Sequence, residues 1–67
     1  MRTRFFVFAD GWRLYMRPLS DRSMVTSIWL SRPDGREAGR VFADAGKLVP
    51  ELIAQHGAMR AAKASEI

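Results

Sequence analysis

From Arg4 to Arg17 the chain reads as two strand-like runs, Phe5-Phe6-Val7-Phe8 and Trp12-Arg13-Leu14-Tyr15-Met16, joined by Asp10-Gly11. An Asp-Gly pair between aromatic and β-branched runs signals a hairpin, because both positions of a two-residue turn need φ > 0 and these residues tolerate it best. Such a turn sets Ala9 against Trp12, Phe8 against Arg13, Val7 against Leu14 and Phe6 against Tyr15. Opposed residues share a face. One face then collects Phe5, Val7, Ala9, Trp12, Leu14 and Met16, which are all apolar and form the expected core side. The other collects Arg2, Arg4, Phe6, Phe8, Arg13, Tyr15 and Arg17.

Pro18 to Ser23 is a polar, proline-led connection, and Met24 to Arg32 reads as a third strand. The turn Arg32-Pro33-Asp34-Gly35-Arg36 has Pro pre-setting φ and Gly available for the left-handed position. A three-residue Pro-Asp-Gly loop pairs Arg32 with Arg36, Leu30 with Ala38, Trp29 with Gly39, Ile28 with Arg40 and Thr26 with Phe42. This register puts Met24, Ile28, Leu30, Ala38 and Phe42 on the core face, and Ser27, Trp29, Ser31, Gly39 and Val41 outside. Arg40 then falls on the core side, which is tolerable only on an edge strand where the long side chain can reach water. The fourth strand runs from Glu37 to Ala43.

Asp44 is the expected N-cap of a helix carrying Ala45, Leu48, Val49, Leu52, Ile53 and His56 at helical spacing. Pro50 fits only an early helical position, so the helix either begins near Lys47 or kinks at Pro50. Gly57 is the expected stop. Residues 58–67 have high helix propensity and little to pack against, which predicts a helical extension or a disordered tail. The reading is a single α+β domain over 1–57: a four-stranded antiparallel meander with one C-terminal helix packed on one sheet face, the other face left open.

A chain of 67 residues without cysteine has neither disulfides nor a thiolate metal site to hold it together. Its N-terminal apolar run is too short for a secretory signal and no run approaches a membrane span, so the expected location is cytoplasmic, with no membrane partner. The formal charge is +4, and nine of the eleven basic residues are Arg. Arginine suits phosphate, carboxylate and aromatic faces better than lysine does. Basic character in a small domain favours nucleic acid, although an acidic protein surface is an equally good counterpart.

Rings interleaved with guanidinium groups on an open sheet face can stack bases and neutralise phosphates. They can also form a protein interface. The residues expected to make such contacts are Arg4, Phe6, Phe8, Arg13, Tyr15, Arg17, Trp29, Arg32 and Arg36. Nothing else carries chemistry. Asp10, Asp34 and Asp44 are explained by turn or cap roles, and Glu51 by an early helix position. The serines have no base beside them, and the glycines around Arg36 lack phosphate-loop spacing. His56 reads as a boundary residue at the helix C-terminus, where the dipole favours its charge. No catalytic residue, metal, cofactor or small-molecule substrate is expected.

The stretch Ile28 to Arg36, then Arg40-Val41-Phe42, then a helix through Leu48, Leu52 and Ile53 resembles the sheet-plus-helix arm-binding domains of tyrosine recombinases. Like plant ethylene-response DNA-binding domains, these show a strand Trp, a polar Gly turn, a basic strand ending in Phe and a packing helix. The resemblance covers about half the chain. It implies a sheet face entering the DNA major groove, with Trp29, Arg32, Arg36 and Arg40 as contacts. Two functions follow as expectations. The first is a non-catalytic nucleic-acid-binding module. The second is a small regulator or inhibitor of the mobile-element, phage-like type, docking on a partner protein or forming a homodimer through the same face.

Overall fold

A computed structural model describes residues 2–66. The strands are β1 (Arg4–Phe8), β2 (Arg13–Pro18), β3 (Thr26–Ser31) and β4 (Glu37–Ala43). Helix α1 (Ala45–His56) follows, then β5 (Met59–Ala62) and a short 3-10 turn over Ala64–Glu66. The class is α+β as expected, but the sheet has five strands, in the order β4-β3-β2-β1-β5.

Both hairpins close with the same three-residue loop. In the first, Gly11 N–H donates to the Phe8 carbonyl at 2.9 Å and Phe8 N–H to the Trp12 carbonyl at 2.8 Å. In the second, Gly35 N–H donates to Arg32 and Arg32 N–H to Arg36, both at 2.8 Å. Gly11 and Gly35 take φ of 92° and 91°. This is a turn closed by a left-handed glycine. In each loop the Asp before the glycine accepts the N–H two residues on: Trp12 N to Asp10 at 3.0 Å and Arg36 N to Asp34 at 2.9 Å.

The first loop therefore has one residue more than the Asp-Gly signal suggested. Phe5 faces Tyr15 and Phe6 faces Leu14. Because side chains alternate, that single residue turns β1 over. Phe6 and Phe8 join Leu14 and Met16 in the core, and Phe5 and Val7 move to the other face.

A bulge in β4 makes a second correction. Ser31 pairs with Glu37 but Leu30 pairs with Gly39, which leaves Ala38 as the extra residue. From Gly39 onward the faces are exchanged. Arg40 lies across from Trp29 on the open side, Phe42 goes with it, and Val41 turns to the helix side. The awkward inward arginine of the uninterrupted register disappears.

Helix α1 starts at Ala45, with Asp44 capping it through a bond from Gly46 N–H at 2.9 Å. Pro50 stands inside it without ending it. The helix spans about 18 Å, close to the length of the central strands. Leu52 is buried against Phe6, Phe8, Leu14, Met16 and Ile28, with Ala45, Leu48 and Val49 packed around them. Ile53, expected on the buried stripe, is 39% exposed. Among the described residues no helix is long and apolar enough to cross a membrane.

The C-terminal segment was expected to be helical or disordered, yet residues 59–62 form β5 along β1. Ile67 of that segment lies outside the described residues. Gly57 makes the reversal possible. Its φ of 90° and ψ of −173° belong to a region that essentially only glycine enters. A Cβ there would also stand 2.8 Å from the Ala9 Cβ. The chain then runs past the hairpin, with Ala9 N–H donating to Ala58 at 2.8 Å, and Met59 pairs with Phe8. Packing against an open sheet edge overrides the helix propensity of Met-Arg-Ala-Ala.

Phe8→Ala is expected to cost about 3–5 kcal/mol, enough to unfold so small a domain. Phe5→Ala loses only an aromatic pair on the other face, about 1 kcal/mol; urea melts of the two variants read the difference directly. Gly57→Ala should cost about 1–3 kcal/mol from backbone strain and more from the contact with Ala9. Gly35→Ala, which has no atom within 4 Å of its would-be Cβ, should be the milder change in thermal denaturation.

Candidate functional site

With α1 on one face, the other face of the sheet is left uncovered by any helix. One row of neighbouring side chains crosses it: Arg40 on β4, Trp29 on β3, Tyr15 on β2, Phe5 on β1 and Ala62 on β5. Trp29 and Tyr15 are stacked, with centroids 5.5 Å apart and planes 15° apart. Phe5 meets Tyr15 edge-on at 5.6 Å. Arg40 closes the other end, its guanidinium 5.3 Å from the Trp29 ring and 5.5 Å from Phe42. A cation over an aromatic face contributes about 0.5–1 kcal/mol at an exposed position.

Polar groups beneath the row are satisfied within it. Ser27 and Ser31 are buried. Arg40 Nε and an Nη donate to Ser27 Oγ at 3.3 and 3.2 Å, and the Tyr15 and Ser31 hydroxyls share a hydrogen bond at 3.3 Å. The β-ladder register adds Arg13, Val7 and Arg60 on one side of the row, and Arg17, Ser27 and Phe42 on the other.

Two hollows adjoin at Pro18. One, of about 290 Å³, lies among Arg17, Leu19, Ser27, Trp29, Arg40 and Phe42. The second, of about 720 Å³, opens at the Phe5 end of the row and is walled by Arg2, Arg4, Phe6, Ala62 and Lys63. Cations and rings line both, and among the described residues no carboxylate does.

No protein-family model, curated protein or solved structure matches the chain. The site therefore rests on its own geometry.

Of the residues expected at the contact face, Arg13, Tyr15, Arg17 and Trp29 lie together on it. Phe6 and Phe8 do not: they are core residues, 7% and 2% exposed. Arg4 does not share the face either: it pairs with the core residue Met16 and falls on the helix side at the end of β1, its guanidinium 5.2 Å from the Phe6 ring. Arg32 extends over Trp12 at 5.9 Å, on the helix side, and Arg36 pairs with Asp34 at the loop tip at 3.4 Å. Of the four residues singled out by the recombinase-type resemblance, only Trp29 and Arg40 share the open face. Sequence reasoning missed Phe5 and Phe42, and its strand register turned Arg40 inward although the resemblance had named it as a contact. The signal for Arg40 and Phe42 was Gly39, since a glycine inside a strand pattern marks a bulge.

His56 stands away from this face, at the end of α1 against the first hairpin. Its Nδ1 lies 2.7 Å from Asp10 Oδ2, and its ring stacks on Trp12 at 4.4 Å and 30°. Loss of hydration pushes the Asp10 carboxyl up, but the Trp12 N–H and then the hydrogen bond and charge of His56 outweigh it and hold the group below its ordinary value. This is a structural latch between helix end and turn. Among the described residues, no three His, Asp or Glu side chains are grouped so as to hold a metal ion.

A carboxyl whose pKa is depressed by folding contributes stability that is complete above its unfolded pKa and is lost as pH falls through the folded one. Asp10→Asn should therefore be less stable than wild type at neutral pH and converge with it in acid, below the ordinary aspartate range. Thermal melts of both proteins across an acid pH series check this.

Proposed function

We propose that this chain is a non-catalytic nucleic-acid-binding module that takes single-stranded nucleic acid across the open sheet face. The observation that carries the reading is the pair of adjoining hollows, each combining arginines with an aromatic ring and lined, among the described residues, by no carboxylate. A phosphodiester backbone needs cations without competing acids, and unpaired bases need π-faces. Arg2, Arg4 and Lys63 at one hollow and Arg17 and Arg40 at the other meet the first need. Phe5, Trp29 and Phe42 meet the second.

The geometry favours strands over duplex. Trp29 and Tyr15 already stack on each other, so bases lie along the outer side of the row instead of entering it. That mode is open to splayed, unpaired bases and closed to a stacked duplex.

Fluorescence titration of Trp29 and Trp12 with single-stranded oligonucleotides should show binding that weakens with salt, the logarithmic slope growing by about 0.7 per phosphate neutralised. Arg17→Ala and Arg4→Ala should each lower that slope. Phe5→Ala should weaken binding by about 1–3 kcal/mol if a base rests on it, with the salt slope unchanged. No binding to any single strand at low salt would overturn the reading. The exposed Leu19 and Phe42 on the rim, at 55% and 62%, favour a second reading, docking of a partner protein. Capture of a protein from nuclease-treated lysate, lost in Arg17→Ala, supports that alternative.

A further inference from the structure

We infer that the β4 edge is a self-association surface, on which a second copy of this chain adds its own β4 antiparallel to make a continuous sheet across a twofold axis. β4 is seven residues long and has a neighbour on one side only. Edge strands are normally blunted by shortness, charge or a bulge, because their unpaired backbone groups invite another strand. β5, the opposite edge, is short, with four residues, and carries Arg60. In β4 the bulge at Ala38 comes early and leaves Gly39–Ala43 regular.

That regular segment exposes apolar side chains on both faces: Phe42 at 62% on the open side and Val41 at 48% on the helix side. A residue pair on one face could be a contact for many ligands. Exposure on both faces of one edge is the demand of a strand that continues the sheet.

The register that satisfies it is set by charge. A twofold axis at Arg40 would oppose two guanidinium groups, which is destabilising. An axis at Phe42 would shorten the overlap, because Asp44 is committed to capping α1. With the axis at Val41, Val41 meets its own image, Gly39 meets Ala43, and Arg40 meets Phe42 of the second copy. Arg40 then lies between Trp29 of its own chain and a ring of the other. That is the cation-over-ring contact it already makes with Trp29 at 5.3 Å, so the row crossing the sheet runs on into the second molecule.

The chain lacks cysteine, so a single introduced thiol can bridge only to another copy. Paired residues on adjacent antiparallel strands have Cα atoms about 4.5–5.5 Å apart, within disulfide reach. The test is mild oxidation of Val41→Cys beside Ser20→Cys, an exposed loop control. Light scattering of the native protein over a concentration series accompanies it, after nuclease treatment and in high salt. The expected result is a disulfide dimer formed much faster by Val41→Cys, and a native mass that rises with concentration from one chain to two. Val41→Lys should hold the mass at one chain. A native mass of one chain at every concentration overturns the inference, as does equal cross-linking of the loop control, or a dimer that survives Val41→Lys. Val41 lies on the helix side and lines neither hollow, so Val41→Cys and Val41→Lys leave the proposed nucleic-acid contacts unaltered. High salt also separates the two, because it weakens phosphate contacts while screening the repulsion between two chains of charge +4.

Discussion

The length of one turn governs this molecule. Ala9-Asp10-Gly11 closes the first hairpin as a three-residue loop, and that count decides which side of β1 looks inward. With it, Phe6 and Phe8 supply the largest rings of the core and Phe5 joins the open face. The same loop places the Asp10 carboxylate where it takes both the Trp12 N–H and the His56 ring. The helix end is thereby fixed above the turn. From that point Gly57 directs the chain back along Ala9, and β5 finds β1. Turn, helix end and final strand form one connected set of constraints, and through Phe5 and Ala62 they also set one end of the face proposed for binding.

The two hairpins show how far local sequence reaches. Pro33-Asp34-Gly35 reads as a three-residue loop because proline marks its first position, and its glycine and closing bonds are as expected. Ala9-Asp10-Gly11 folds identically, but alanine carries no such mark, so the commoner two-residue reading of Asp-Gly puts the wrong face of β1 inside. β2 was legible throughout, since Leu14 and Met16 alternate with Arg13, Tyr15 and Arg17 in either register. The sequence also located the helix caps, Asp44 and Gly57. β5 was not legible, because its residues favour a helix and pair only once an open edge exists. For the candidate site, Arg13, Tyr15, Arg17 and Trp29 were recognisable as a group. Phe5 and Phe42 were hidden behind a turn length and a bulge, and Arg40 was reached only through the resemblance, against its register. The inward Arg40 was itself the sign that a residue had been miscounted.

Arg40 shows why an open face can be ordered in the absence of a ligand. Its guanidinium satisfies Ser27 and lies against two rings. Tyr15 is held between Trp29 and Phe5 and by Ser31. Side chains fixed in this way have already lost their rotamer freedom through folding, so a ligand need not order them again. The flanking Arg17 is exposed and long, and it supplies adaptable charge beside a rigid row. Rigid rings and mobile cations divide the work of shape and attraction.

The strand order carries an implication for how the domain is made. β1 precedes the other strands in the sequence but lies in the interior of the sheet, between β2 and a strand that follows α1. Until residues 59–62 emerge, its outer backbone groups have no partner and Phe8 lacks the cover of Met59. Closure thus depends on a contact between segments far apart in sequence, the slow kind in folding kinetics. A nascent or truncated chain lacking that last strand offers a bare aromatic edge to its neighbours, and chaperone dependence or aggregation during expression is the natural cost of this topology.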